Sequence, residues 1–162
     1  MKKELTHKSE IKLIGLIART NNKNEMNPET AKIGALAGNY WGQNIAIQIP
    51  NRKNPGVTLS VYTNYASDEH GDYTYFIGEE VDSFDNVPAS FKQLVIPAGK
   101  YQKFTTSSGK MPQIVIEAWQ QIWKMSVNDF GSKRAYQADY EVYDQRAMDP
   151  NNTSLDIFIG IE

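Results

Sequence analysis

The chain has 162 residues, of which 40% are hydrophobic and 22% charged, and its formal net charge is −2. These values are typical of one globular domain with an ordinary core, and they exclude a largely disordered chain. The small net charge gives no basic surface for nucleic acid, and the absence of cysteine excludes disulfides, thiolate zinc sites and a cysteine nucleophile.

The first half of the chain is predicted to contain one strand, one helix and two further strands. The stretch before residue 11 is expected to be unstructured. The apolar part of residues 1–18 is short and is interrupted by Glu10 and Lys12, which argues against a signal peptide. Hydrophobic periodicity and turn residues predict the elements. They are a strand at 11–19, a helix within 28–48, and strands near 58–65 and 73–81.

The second half repeats this order. Strands are predicted on both sides of Pro97, a helix within 112–125, and strands near 136–143 and 155–161. The order strand-helix-strand-strand therefore occurs twice, and it predicts a duplicated α+β fold with two fused halves around a pseudo-twofold axis. We expect one domain over residues 1–162, with halves at about 11–81 and 91–161 and no DNA-binding domain.

A single acidic side chain, Glu141, lies within an aromatic strand near the end of the chain. Alternation places Asp139, Glu141 and Tyr143 on one face of this strand, and Tyr140 and Val142 on the other. Burial of an unpaired charge is costly, so this carboxylate must stay neutral, pair with a cation of the chain, or bind one from solution.

The sequence allows both a structural and a catalytic explanation for Glu141. An ordinary structural partner would be Lys103, Arg134 or a tyrosine hydroxyl. Paired-carboxylate chemistry through Asp139 and Glu141 is also possible, although Asp139 is nearer the strand end and is expected to be solvated.

Other catalytic and metal-binding patterns are weak. The two histidines, His7 and His70, are far apart and form no metal-ligand pair. An acidic turn at 68–72 could hold a hard cation weakly, but such turns are usually solvated. No glycine-rich nucleotide loop and no serine-hydrolase elbow is present. We therefore predict no metal and no cofactor, and no run is long enough to span a bilayer.

Aromatic residues are the positive signal for binding. Rings beside one carboxylate suit a flat or lipophilic cation, because the rings supply area and cation–π attraction and the carboxylate supplies charge. The alternative is that most of these rings are core. The rings on predicted strands or on the second predicted helix are Tyr62, Tyr65, Tyr73, Tyr75, Phe76, Tyr101, Phe104, Trp119, Trp123, Tyr140, Tyr143 and Phe158.

Several ordered blocks, spread over nearly the whole chain, match one family pattern. The blocks are Ile14-Gly15-Leu16, Val61-Tyr62-Thr63-Asn64-Tyr65, Gly71-Asp72-Tyr73-Thr74-Tyr75, Val87-Pro88, Ile96-Pro97-Ala98-Gly99-Lys100-Tyr101 with Phe104, Ala118-Trp119-Gln120-Gln121-Ile122-Trp123, Asp139-Tyr140-Glu141-Val142-Tyr143-Asp144 and Asp156-Ile157-Phe158-Ile159-Gly160-Ile161. With these blocks the chain resembles the gyrase-inhibitor-like small-molecule-binding family, the effector-binding domain of AraC-type regulators.

The resemblance implies an antiparallel sheet with two main helices and a central ligand cleft between the halves. It implies a cytoplasmic, stand-alone binder of lipophilic, cationic small molecules, linked to transcription regulation, with neither direct nucleic-acid binding nor membrane binding. Glu141 matches the buried glutamate that meets the positive charge in relatives. Tyr62, Tyr75, Trp41 and Trp119 are the further ligand-binding residues that we expect.

Two other functions are carried as alternatives. Some relatives look like hydrolases of cyclopropane-containing electrophiles, in which case Glu141 would be the catalytic general acid/base, with Tyr75 or Tyr143 assisting. A protein-binding inhibitor or regulator is the other alternative, so a protein partner or a second copy of the chain remains open.

Overall fold

Eight antiparallel strands form one continuous sheet in the computed structural model, which describes residues 1–162. The strands are β1 (Lys2–Lys8), β2 (Ile11–Thr20), β3 (Thr58–Thr63), β4 (Tyr73–Glu80), β5 (Lys92–Ile96), β6 (Gly99–Thr105), β7 (Arg134–Tyr143) and β8 (Asp156–Ile161). The helices are α1 (Asn22–Glu25), α2 (Ile33–Gly42), α3 (Gln113–Trp123) and α4 (Val127–Phe130), with short 3₁₀ turns at Ile45–Gln48 and Gln145–Ala147. None of the helices has the length and apolarity needed to cross a membrane.

The strand order confirms the predicted duplication. The sheet runs β1-β6-β8-β7-β3-β4-β2-β5, so the inner order β6-β8-β7 of the second half mirrors β2-β4-β3 of the first half across the central β3–β7 pair. The prediction of an α+β fold with two repeated units around a pseudo-twofold axis is therefore correct.

The repeated unit is one strand longer than the predicted unit. In the first half β1 precedes β2, and in the second half β5 precedes β6. Each of these leading strands pairs with the other half: β1 lies on β6, and β5 lies on β2. The halves therefore exchange their edge strands, which joins them at both edges of the sheet as well as at its centre.

The N-terminal strand β1 corrects the expectation of an unstructured start. Its ladder with β6 runs from Lys2 opposite Thr105 to Lys8 opposite Gly99, and it includes His7. Most of its side chains are exposed. Strand β1 therefore has no apolar face for periodicity to detect, and backbone hydrogen bonds to β6 provide its ordered position.

The two longer helices, α2 and α3, each bury one face against the rest of the protein. Helix α3 buries Ala118 and Ile122, which are four residues apart and therefore on one face. Its residues Trp119 and Trp123 lie toward a cleft instead. Helix α2 buries Tyr40 against the apolar side chains of β2 and β4.

Candidate ligand-binding site

A cleft of about 400 Å³ opens between residues of both halves of the chain. The first half contributes α1, the start of α2, β3, β4 and the loop that joins β3 to β4, and the second half contributes α3 and the start of β7. A volume of this size lies within the range of small-molecule sites, roughly 300–1,000 Å³. The cleft therefore lies between the two halves, as expected from the sequence.

A continuous row of five aromatic rings, which we call the aromatic row, runs along this region. Neighbouring ring centroids are 5.2 Å apart for Trp119 and Tyr62, 5.6 Å for Tyr62 and Tyr73, 5.9 Å for Tyr73 and Tyr65, and 5.6 Å for Tyr65 and Tyr136. Most of these contacts are edge-to-face, the arrangement that aromatic quadrupoles prefer. All of these rings except Tyr136 line the cleft, as does Trp123.

Glu141, on β7, is buried at one end of the aromatic row, with 2% of its surface exposed. Its Oε2 accepts hydrogen bonds from the Tyr62 hydroxyl at 2.9 Å and from Trp119 Nε1 at 2.8 Å. Its Oε1 accepts from the Tyr143 hydroxyl at 2.5 Å. Two of its three donors are thus cleft-lining rings, and the carboxylate forms no salt bridge with lysine or arginine.

Burial raises the pKa of Glu141 above the ordinary value of a glutamate. The hydrogen bonds from Tyr143, Trp119 and Tyr62 act in the opposite direction but do not offset the desolvation. Burial, and then the charge of Glu141, raise the pKa values of Tyr62 and Tyr143, so both phenols remain donors near neutral pH. A cation in the cleft would favour the ionised carboxylate.

A second carboxylate, Asp139, reaches the other part of the aromatic row. It is fully buried, which corrects the expectation that it is solvated. Its Oδ2 accepts from Arg134 Nη2 and from the Tyr65 hydroxyl, both at 2.6 Å, and its Oδ1 accepts from the backbone N–H of Gly160 at 2.8 Å. Because these donors compensate the charge, Asp139 can be buried so near the end of the regular β7 ladder.

The cations that were considered as partners of Glu141 bind elsewhere. Arg134 pairs with Asp139, and Lys103 pairs with Glu4 at 3.1 Å. Of the structural alternatives for Glu141, the structure therefore contains the tyrosine hydroxyl and not the ion pair.

The five sequence-predicted ligand-binding residues divide into two groups: Tyr62 and Trp119 line the cleft, whereas Glu141, Tyr75 and Trp41 do not. Tyr62 and Trp119 line the cleft and bond directly to Glu141. Tyr75 is buried behind Tyr62, with their ring centroids 5.5 Å apart, and its hydroxyl lies 2.8 Å from that of Ser60. Tyr75 does not line the cleft.

Trp41 lies outside the cleft at the end of α2, and 45% of its surface is exposed. Its ring contacts that of Tyr143, with centroids 5.4 Å apart. Trp41 therefore contacts a donor to Glu141 but does not line the cleft.

Several cleft residues were not singled out from the sequence. From the sequence, nothing distinguishes Tyr65, Tyr73 and Trp123 from the many other aromatic residues. The pairing of Tyr62 with Tyr75 in the β3–β4 hairpin is the one signal for Tyr73, which lies two residues from Tyr75 and therefore on the same face of the sheet. Arg134 was considered only as a partner of Glu141. No pattern in the sequence indicates the break in the β7 ladder between Arg134 and Asp139, which brings the two side chains together.

The duplicated sheet and the cleft between its halves are those of an effector-binding protein of the gyrase-inhibitor-like type. The chain belongs to the family described as integron-associated effector binding protein, Cass2, whose family model matches residues 4–161.

Relatives and solved structures agree with this assignment. The chain is 30% identical over 158 residues to YobU of Bacillus subtilis (strain 168), a protein provisionally named a transcriptional regulator, and the match covers 98% of this chain and 96% of YobU. The integron cassette protein VCH_CASS2 from the mobile metagenome of Vibrio cholerae superposes with a TM-score of 0.79 at 29% identity, covering 99% of this chain and 95% of that protein. SAV2435, in a structure bound to tetraphenylphosphonium, superposes with a TM-score of 0.76 at 15% identity and shares the fold, with 100% of this chain and 94% of that protein covered.

Proposed function

We propose that the cleft binds lipophilic cationic small molecules and that Glu141 supplies the anion that meets their positive charge. The observation that carries this proposal is a buried carboxylate without a cationic partner. This carboxylate accepts one hydrogen bond from each of two cleft-lining rings, Tyr62 and Trp119. Its desolvation is already present in the free protein, so an arriving cation gains attraction without a further cost of stripping water from this carboxylate.

The other charges of the cleft support the same ligand class. Glu25 and Glu69 line the cleft, and Arg134 is its only lining cation. Arg134 is compensated by Asp139. The remaining charge around the cleft is therefore negative, which attracts a cation and disfavours an anion.

The aromatic row provides the apolar part of the affinity. Each ring that contacts a cation adds attraction of about 0.5–2 kcal/mol, and each buries apolar area besides. Rings impose little directional demand on a ligand, so we expect one site to accept cations of different shapes.

The relatives support an effector role for this binding. A protein of the same fold has been solved with a lipophilic cation, tetraphenylphosphonium, and a relative over nearly the full chain is named as a transcriptional regulator. We propose that the binding event serves cytoplasmic transcription regulation, and the net charge of −2 supports a role without direct contact between this chain and nucleic acid.

Tetraphenylphosphonium is a suitable probe, with binding followed by tryptophan fluorescence. Two of the three tryptophans, Trp119 and Trp123, line the cleft. We expect Glu141→Gln to weaken binding about tenfold to a hundredfold, which corresponds to roughly 1.4–2.8 kcal/mol, because the amide keeps the shape of the side chain but loses its charge.

Glu79→Gln is the matched control. Glu79 is buried to 1% exposure and accepts hydrogen bonds from Tyr40 at 2.7 Å and Thr58 at 2.6 Å, but neither partner lines the cleft. We expect this variant to bind the probe like the unmodified chain. Equal affinity in all three proteins would contradict the role of Glu141, and absence of binding by the unmodified chain would contradict the ligand class.

A further inference from the structure

Arg134, at the end of the aromatic row opposite Glu141, has unused hydrogen-bond donors. Its side chain is only 9% exposed and lines the cleft. A guanidinium carries five N–H donors, yet this one donates a single hydrogen bond to the protein, from Nη2 to Asp139. Its Nε is enclosed without a partner, whereas Nη1 has no protein acceptor and is not enclosed. The Nη1 donors are therefore the ones that remain available to a ligand in the cleft.

The partner of Arg134 is bonded through both of its carboxylate oxygens. Asp139 accepts from Arg134, from the Tyr65 hydroxyl and from the backbone N–H of Gly160. The ring of Tyr136 lies under the guanidinium, 4.3 Å from ring centroid to Cζ, and fixes its plane. The pair is therefore held by the protein, and what Arg134 lacks is an acceptor from the cleft.

The nature of that acceptor follows from the neighbouring charges. Glu25 and Glu69 line the cleft and Asp139 lies against Arg134. A ligand carboxylate would gain attraction from one guanidinium and repulsion from these three carboxylates, whereas an uncharged oxygen would accept the hydrogen bond without the repulsion.

We propose that the cleft favours lipophilic cations that also carry an uncharged hydrogen-bond acceptor, a carbonyl or ester oxygen, which Arg134 binds. This inference rests on the proposed function, because it assumes that the cationic part of the ligand occupies the aromatic row near Glu141. The two recognition points are separated along the row by Tyr73, whose ring centroid is 5.6 Å from that of Tyr62 and 5.9 Å from that of Tyr65. The expected ligand is thus a multi-ring cation with its acceptor displaced from the centre of charge.

Three dyes with the same xanthylium cation test the proposal on the unmodified chain. Tetramethylrosamine has no acceptor on its pendant ring, tetramethylrhodamine methyl ester adds an uncharged ester there, and tetramethylrhodamine adds a free carboxylate. With binding followed by fluorescence anisotropy, we expect the ester to bind about threefold to tenfold more tightly than both other dyes, the range of one hydrogen bond to a charged donor.

The variant Arg134→Lys keeps a positive charge beside Asp139 but removes the planar fork of donors. We expect it to lose most of the preference for the ester over the rosamine dye, because the lysine ammonium sits on a flexible stem and no longer holds donors in a fixed direction toward the cleft. The matched control is Arg146→Lys: Arg146 pairs with Asp144 and Asp156 away from the cleft, so the preference for the ester should be retained. Circular dichroism of each variant establishes that it is folded.

The outcomes separate this inference from the proposed function. Binding of all three dyes by the unmodified chain with equal affinity overturns the inference and leaves the function intact, and tightest binding of the free carboxylate overturns the choice of an uncharged acceptor. An ester preference that survives in Arg134→Lys overturns the role of Arg134. Failure of every dye and of tetraphenylphosphonium to bind overturns the proposed function itself.

Discussion

Two glutamates are buried in the sheet to nearly the same extent, and they differ in what surrounds them. Glu141 is 2% exposed and Glu79 is 1% exposed, and neither forms a salt bridge. Glu141 accepts hydrogen bonds from three neutral donors, two of which line the cleft. Glu79 accepts from Tyr40 and Thr58 through one oxygen, while its Oε1 has no partner.

The comparison shows that burial of a carboxylate does not by itself indicate a ligand site. Glu79 accepts hydrogen bonds from Thr58 and from Tyr40, a member of a buried apolar cluster, and neither donor lines the cleft. Glu141 is connected to the cleft by Tyr62 and Trp119. The connection through lining residues, rather than the exposed area, makes Glu141 the candidate anion.

The largest expected effect on stability comes from replacing Glu141 by glutamine. The folded-state pKa of Glu141 lies above the ordinary value of 4.5, so its contribution to stability is fully present below pH 4.5 and is lost as pH rises through the folded-state pKa. Relative to Glu141→Gln, the free energy of unfolding of the unmodified chain should fall across this window by about 1.4 kcal/mol for each unit of pKa difference.

Urea denaturation at several pH values between about 4 and 8 measures this change. The Glu79→Gln variant is denatured in parallel as the control for replacing another buried carboxylate of the sheet. A stability difference between the unmodified chain and Glu141→Gln that stays constant with pH would contradict the raised pKa of Glu141.

Removing a single tyrosine hydroxyl beside Glu141 is expected to reduce ligand affinity less than Glu141→Gln does. Among the hydrogen bonds that lower the pKa of Glu141, the one from Tyr143 is the largest. Tyr143→Phe should therefore raise this pKa further and weaken binding of tetraphenylphosphonium near neutral pH by about threefold, within the range of one hydrogen bond.

The corresponding change at the other glutamate is Tyr40→Phe, which removes a donor to Glu79. It should leave the affinity for tetraphenylphosphonium unchanged, although the folded state loses a buried hydrogen bond. If Tyr40→Phe weakens binding as much as Tyr143→Phe, the two glutamates are coupled and the distinction drawn between them is wrong.

Sequence patterns predicted the elements that carry apolar residues on one or both faces. Strands β2, β3, β4, β7 and β8 were recognised because one or both faces carry apolar residues, and α3 because its apolar residues recur at helical spacing. Strand β1 was missed because its order comes from the backbone ladder to β6, which leaves no trace in side-chain hydropathy. Helices α1 and α4 have four residues each, too few for an apolar pattern to repeat at helical spacing.

The candidate site was predictable where one strand face determines it. Alternation along β7 identified Glu141 as an acid among aromatic residues, and the resemblance to the family predicted Tyr62 and Trp119 as ligand-binding residues. The Arg134–Asp139 pair could not be predicted, because it depends on the irregular pairing of β7 with β8 between these two residues, where Tyr136 has a positive φ of 49°. Such irregularities arise from tertiary pairing and not from local pattern.

Proton release on ligand binding measures whether Glu141 becomes more fully ionised when a cation enters the cleft. Calorimetric titration with tetraphenylphosphonium in two buffers of different ionisation enthalpy, repeated across pH values above 4.5, measures the protons released. We predict release by the unmodified chain and by Glu79→Gln, largest near the raised pKa of Glu141, and its loss in Glu141→Gln. Equal proton release by Glu141→Gln and the unmodified chain, or no release by either, would contradict the account.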